Sequence, residues 1–308
     1  MPNEIMRLPG GRGPSAMRSE GGFVHVILLL SSLAMLVAAV FVALSLMARE
    51  VESGAERVLR GGPIRIGYAW EPPYAYRNDD GRVTGESPEV ARVVLAQIGI
   101  RDAEWVQTDF GNLITELRAG RFDMIAAGMF VTPERSERIA FSAPSACLEP
   151  ALLVRRGNPL DLHSLQEIAA HYSARLAVLA GAVEEADARE AGIPDSRIVP
   201  FAGPASAVAA LRRGLVDGLA LSGPSVQTLA DGAADFERAS PYRGSREVSG
   251  CSAFGFRRED AALRARFDFA LRDFLGSEPH RALVSGFGFT EANLGLVAQA
   301  ARARGGGQ

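Results

Sequence analysis

The sequence predicts an α/β protein made of two successive α/β units and preceded by a single N-terminal transmembrane helix. Three observations carry that prediction. From residue 64 onward short β-branched or apolar runs alternate with helix-length stretches, the alternation starts again near Pro150, and residues 23–48 form one unbroken apolar run. A length of 308 residues also suits two compact units better than one.

The apolar run FVHVILLLSSLAMLVAAVFVALSLMA has 26 residues, with one histidine and no acidic or basic side chain apart from it. At ~1.5 Å per residue such a helix is longer than the hydrocarbon core of about 30 Å, so it can span with some tilt. Secretory signals have apolar cores of roughly 7–15 residues, so an uncleaved anchor is the expectation. Residues 1–22 are then an N-terminal tail, and residues 49–62, ending in Gly61-Gly62-Pro63, read as a linker. Arg7, Arg12 and Arg18 lie before the run and Arg49, Arg57 and Arg60 after it, which leaves its orientation open.

In the first unit, residues 64–70, 103–108 and 123–128 read as strands and residues 87–98 and 112–120 as helices. This βαβαβ order implies a mostly parallel sheet with right-handed crossovers. The second unit runs strand 151–155, helix 164–171, strand 175–179, helix 183–191, strand 197–201, helix 205–213, strand 216–221. After Cys251, residues 252–257 read as one more strand, and residues 259–276 carry apolar positions at helical spacing. No further strand series follows, so this ending is expected to pack on an existing unit. Residues 303–308 read as disordered.

Composition removes several function classes. All 33 basic residues are arginine, which excludes a lysine Schiff base and the Gly-Lys-Ser/Thr of a P-loop. With 36 acidic residues the formal net charge is −3, and no dense arginine stripe is present, so no nucleic-acid partner is expected. Two cysteines and four scattered histidines are too few for a structural zinc site. No metal and no cofactor is expected.

A membrane-directed segment sends the following domain toward an oxidising compartment. There Cys147 and Cys251, 104 residues apart, are read as a disulfide, the alternative being two unrelated buried thiols.

Open parallel sheets bind ligands beyond the carboxyl ends of their strands. The first strand is followed by Glu71, Pro72, Pro73 and Tyr74, the second by Asp109, Phe110 and Gly111, and the third by Met129, Phe130, Thr132 and Arg135. In the second unit, the loop after residue 179 brings Gly181, Ala182, Val183 and Glu184 to a helix start. Arg135 can hold a carboxylate through its planar fork, while Glu71 and Glu184 can balance a positive group. The rings of Tyr74, Phe110 and Phe130 suit a flat or weakly hydrated cation. A small zwitterion fits this set. Plainer readings stand beside it: Phe110 and Phe130 as core residues, Arg135 as a solvated arginine in a charged run, Glu71 and Glu184 as helix-start acids.

Thr132-Pro133-Glu134-Arg135 followed by Phe141-Ser142-Ala143-Pro144 resembles the type II periplasmic solute-binding proteins that feed ABC importers, over residues 64–157 and 174–296. The resemblance implies a two-lobed periplasmic-binding-protein-like fold with two hinge crossovers, near residues 146–150 and 249–253. Lobe 1 would comprise residues 63–148 and, after its return, 253–296; lobe 2 would comprise residues 149–252, and residues 297–308 a flexible tail. It also implies an extracytoplasmic, monomeric receptor with Arg135 on the ligand carboxylate and a permease as partner.

A narrower resemblance is to the ectoine- and hydroxyectoine-binding members. It rests on Glu71-Pro72-Pro73-Tyr74, Gly85-Glu86-Ser87-Pro88-Glu89-Val90, residues 120–130 (GRFDMIAAGMF), Gly181-Ala182-Val183-Glu184 and residues 286–294 (GFGFTEANL). It implies aromatic contacts from Tyr74, Phe110 and Phe130 and acidic contacts from Glu71 and Glu184. Two departures stand out. Trp70 occupies a position where a small polar residue is expected, and its bulk beside Glu71 is expected to reshape the pocket. Ser222-Gly223-Pro224 stands where many amino-acid binders carry an aspartate for the ligand ammonium, which weakens an ordinary α-amino-acid reading.

The expected function is capture of a small zwitterionic compatible solute by lobe closure and its delivery to an ABC importer, from a protein anchored in the cytoplasmic membrane. The alternative in the same fold is a polar amino-acid binder. A dehydratase-like enzyme would have Glu184 as its one lobe-two acid, and no Ser-His-Asp or Cys-His arrangement supports hydrolysis. With only 22 residues before the apolar run, a sensor role would need a separate signalling partner.

Overall fold

The computed structural model describes residues 35–40, 54–244, 250–294 and 297. Of the apolar run expected to cross a membrane, residues 35–40 are helical, and the rest of 23–48 lies outside the described residues. Among the described residues no helix is long and apolar enough to cross a membrane. The expected disorder of residues 303–308 also falls outside them.

Helix α1 (Gly54–Leu59) corrects the linker expectation for part of residues 49–62. Ala55 and Val58 are buried in the core of the first lobe, and Arg57 ion-pairs with the buried Asp123 at 2.6 Å. Two small apolar residues three apart share one helix face, a signal too short to read within a polar segment.

The first lobe then runs β1 (Ile64–Tyr68), β2 (Tyr76–Arg77), β3 (Val83–Thr84), α2 (Glu86–Gln97), β4 (Ala103–Gln107), α3 (Leu113–Arg118), β5 (Met124–Ile125), α4 (Pro133–Arg138) and β6 (Ala140–Phe141). The hinge strand β7 (Ala146–Leu148) leads into the second lobe: β8 (Pro150–Arg155), α5 (Leu165–Ala170), β9 (Leu176–Leu179), α6 (Val183–Glu190), β10 (Ile198–Phe201), α7 (Pro204–Arg212), β11 (Gly218–Ser222), α8 (Gly223–Asp231) and β12 (Phe236–Arg238). The chain returns through β13 (Gly250–Ser252) to β14 (Gly255–Phe256), α9 (Ala261–Phe274) and α10 (Glu278–Ser285). Both closing helices pack on α2 of the first lobe.

Each lobe holds one five-stranded sheet, ordered β4-β1-β5-β14-β6 and β10-β9-β11-β8-β12. In the first, β1 pairs in parallel with β4 and β5, as the βαβαβ pattern requires, whereas β14 runs antiparallel to β5 and β6. In the second, β9 is parallel to β10 and β11, but β8 is antiparallel to β11 and to β12. Strand β8 enters directly from the hinge with no crossover helix, so its direction is set by where the chain comes from. Strands β8, β9 and β11 read as continuous apolar runs because helices cover both their faces.

Two further differences have local causes. The strand expected over residues 252–257 is divided, because the chain leaves β7 after Ser252 and joins the first-lobe sheet only at Gly255, with Ala253 N–H bonded to the Met129 carbonyl between them. The strand expected over residues 123–128 stops at Ile125, and Gly128 turns the chain with φ +63. A side chain there would also lie 2.2 Å from the Tyr74 ring, so only glycine suits the position.

In the hinge, β7 and β13 pair antiparallel with Cys147 directly opposite Cys251, and the two form a disulfide. The other strand ends of both sheets face each other across a cleft.

Candidate functional site

The cleft holds a cavity with about 320 Å³ of unfilled space, including the part open to solvent. From the first lobe it is lined by Glu71, Tyr74, Phe110, Gly128, Phe130 and Arg135, and from the second by Leu179, Ala182, Val183, Glu184, Leu221 and Ser222. All six residues singled out from strand ends therefore lie in one cavity.

Arg135 is placed by the start of α4, where Thr132 Oγ1 caps the helix by accepting from Arg135 N–H at 3.2 Å and Pro133 occupies the first turn. Its side chain is buried. One arm of the fork donates to the Phe130 carbonyl at 2.7 Å, and the other crosses to the Gly181 carbonyl of the second lobe at 2.9 Å. The guanidinium carbon lies 5.5 Å from the centre of the Phe110 ring. Phe110 is thus neither solvent-facing nor simply core; it forms the wall on which the arginine rests. Burial lowers the Arg135 pKa and the nearby Glu184 charge opposes that shift. Two of five guanidinium donors go to the carbonyls, and the group remains a cation.

Glu71 sits beyond β1, in a tight turn closed by hydrogen bonds between its backbone and that of Ala75. Ser225 Oγ, from α8 of the second lobe, donates to Glu71 Oε1 at 2.9 Å. Burial pushes the Glu71 carboxyl up to about 7, against the pull of that hydrogen bond. Glu184 lies in the first turn of α6, and burial pushes it up to about 8. The charges of Glu71 and Asp187 push it further in the same direction, while its own backbone N–H and Arg135 oppose them. Near neutrality both acids are partly protonated, and the cavity presents carboxyl groups ready to ionise against an incoming cation.

Tyr74 is buried at the base of the cavity, and its hydroxyl donates to Ser222 Oγ at 2.9 Å. Burial raises its pKa well above the ordinary value, so it is a neutral donor. Phe130 bridges to Ser252 beside the hinge and closes the remaining wall.

Trp70 corrects one expectation. Its side chain is 37% exposed and lines none of the cavity, because successive residues at the end of β1 point to opposite sides. The polar residues not singled out as contacts are Ser222 and Ser225. They end β11 and open α8, and Ser-Gly-Pro at a strand end reads as a turn rather than as a helix start with proline in its first turn. Among the described residues no group of histidine, cysteine and acidic side chains is arranged to hold a metal ion.

Comparison with known proteins bears on what such a cleft serves. The family of bacterial extracellular solute-binding proteins, family 3, matches residues 64–285. The chain is 34% identical over 270 residues to a probable amino-acid ABC transporter periplasmic-binding protein of Sinorhizobium fredii, covering 85% of this chain and 89% of that one. Among solved structures, EhuB in complex with hydroxyectoine superposes with a TM-score of 0.74 at 32% identity, over 80% of this chain and 95% of that one. An ancestral arginine-binding protein bound to arginine superposes with a TM-score of 0.65 at 21% identity, over 73% and 98%, a likeness of fold alone. The chain belongs to the bacterial extracellular solute-binding proteins of family 3.

Proposed function

We propose that this protein captures a small zwitterionic compatible solute, ectoine or hydroxyectoine, by closing its two lobes and hands it to the importer. The observation that carries the reading is the charge arrangement of the cavity: Glu71 and Glu184 are buried acids, Arg135 is a buried cation, and Tyr74, Phe110 and Phe130 supply rings in the same space. Ectoine is a cyclic amidinium carboxylate. Its delocalised cation would lie against the rings and acids, and its carboxylate against Arg135. The bond from Ser225 to Glu71 and the bond from Tyr74 to Ser222 engage the second-lobe hydroxyls with the first lobe, where an α-amino-acid binder would present an acid. The similar structure that holds hydroxyectoine supports the same ligand class.

The membrane anchor belongs to this proposal. The apolar run of residues 23–48 would hold the receptor at the cytoplasmic membrane, so that ligand-loaded lobes need only reorient to meet the permease.

One observation favours a second reading. With two carboxyl groups and one guanidinium, the fully ionised cavity carries an excess negative charge, which a cationic amino acid such as arginine would neutralise. Calorimetric titration with ectoine, hydroxyectoine, proline, glycine betaine, glutamine and arginine separates the two. One-to-one binding confined to the ectoines supports the first reading, binding of arginine alone selects the second, binding of glutamine alone selects a polar amino-acid binder of the same fold, and binding of proline alone rejects all of these.

A further inference from the structure

Residues 286–294 line none of the cavity, yet they touch the parts that fix its shape. Phe289, 3% exposed, packs edge-on against Tyr74 with ring centres 5.5 Å apart and planes at 77°. Asn293, 5% exposed, donates from Nδ2 to the Cys147 carbonyl at 3.4 Å and to Glu149 Oε2 at 3.2 Å. Its Oδ1 accepts from the N–H and hydroxyl of Thr290 at 2.9 and 3.0 Å, which fixes the amide in this orientation.

One of these partners lies in the pivot and the other just beyond it, on the side of the second lobe. Cys147 belongs to hinge strand β7 and is bridged to Cys251 on β13. Glu149 is one residue beyond β7, and its carbonyl accepts from Gly223 N–H of α8 at 2.9 Å, so it moves with the second lobe. Gly223 follows Ser222, which receives the Tyr74 hydroxyl. A series of contacts results, running from Phe289 through Tyr74, Ser222, Gly223 and Glu149 to Asn293, and the backbone of residues 289–293 closes it into a circuit. One arc crosses the cleft and the other passes behind the hinge.

We propose that Asn293, held in place by Thr290, is a positioning residue that latches the lobe-closed arrangement from behind the hinge by binding Glu149 across the pivot. The proposal rests on the lobe-closing receptor reading. Rotation of the second lobe about the paired hinge strands β7 and β13 carries Glu149, which is bonded to Gly223 of α8, away from Asn293, so this charge-assisted hydrogen bond is made in one arrangement and lost in the other. A contact present in only one of two states shifts their populations by its own free energy.

The test needs no ligand. A fluorescent donor and acceptor are attached to the full chain at two exposed positions, Asp80→Cys on the first lobe and Ser196→Cys on the second. Asn293→Asp keeps the shape but replaces the donor with a group that repels Glu149. The open-to-closed ratio of the ligand-free protein is expected to rise about tenfold, the scale of one lost hydrogen bond to a charged acceptor. Adding Glu149→Gln supplies an amide donor and is expected to restore the distribution. The ligand-free melting temperature is expected to stay within about 2 °C throughout, since a shift that follows stability would be structural rather than conformational. An unchanged distribution, a shift that Glu149→Gln does not reverse, or a parallel fall in melting temperature overturns the latch. Failure of hydroxyectoine and arginine to bind the wild-type chain would count against the proposed ligands and leave this readout intact.

Discussion

The phenol of Tyr74 donates a 2.9 Å hydrogen bond to Ser222 Oγ, joining residues 148 positions apart across the cleft. Two more bonds cross beside it, from Ser225 to Glu71 and from Arg135 to the Gly181 carbonyl. Each contributes about 1 kcal/mol net, more where a charge takes part, and Ala182 and Val183 of the second lobe add apolar contacts with the first-lobe core.

Arg135→Ala is expected to weaken binding of whichever ligand titrates by about 2–5 kcal/mol, because a buried carboxylate loses its fork and the lobes lose one cross-bond. Arg135→Lys should recover only part of this, since an ammonium carries its donors on one nitrogen and lacks the planar fork whose two arms reach the Phe130 and Gly181 carbonyls. Calorimetry reads both variants, and an unchanged dissociation constant in Arg135→Ala would take the residue out of the site.

The acid pair makes two pH dependences. Glu71 at about 7 and Glu184 at about 8 lie above the ordinary 4.5, so between that value and their own the folded chain holds more protons than the unfolded chain. Their contribution to ligand-free stability therefore falls as pH rises through this window and levels off above about 8. Glu71→Gln should flatten that slope in melting curves. A cationic ligand head binds the ionised acids, so its affinity should rise from about pH 6 to pH 8.5 with release of protons. Heats that do not depend on buffer ionisation would contradict this.

Gly111 of the first lobe faces Ala180 and Gly181 of the second, and a side chain on Gly111 would begin 3.0 Å from the Ala180 carbonyl oxygen. Gly111→Leu is expected to wedge the cleft and lower ligand affinity at least about tenfold, mainly through faster dissociation. Gly111 lines none of the cavity, so ligand-free melting should be little changed. Stopped-flow rates identical to wild type would show that closure does not bring these backbones together.

The bridge between Cys147 and Cys251 closes a 104-residue separation. Chain entropy assigns such a loop about 2–5 kcal/mol of stability. Cys147→Ser with Cys251→Ser, or treatment with a reductant, should lower the melting temperature, and equal melting curves would assign the bridge no role in stability.

Much of the site was legible because its chemistry sits at strand ends. Glu71, Phe110, Arg135 and Glu184 each follow a readable strand or open a readable helix, and all four line one cavity. Ser222 and Ser225 were not, since a serine after a strand has no signature until its partner across the cleft is known. Trp70 beside Glu71 suggested a crowded pocket, but the alternation of side chains at the strand end turns it to the surface. Helix α1 was hidden by a polar segment that contains only two buried apolar residues.

By itself the sequence determined what local periodicity and residue chemistry encode: two α/β series, the positions of their strand ends, the absence of lysine chemistry, and an acid, arginine and aromatic set suited to a zwitterion. Only the tertiary structure decided that β8 runs antiparallel, that Trp70 lies outside the cavity, that Asn293 reaches Glu149 behind the hinge, and that Ser222 meets Tyr74. Periodicity records which face of an element is buried, not which partner covers it or in which direction a neighbouring strand runs. Those follow from how two lobes, each folded around its own core, come together through one hinge.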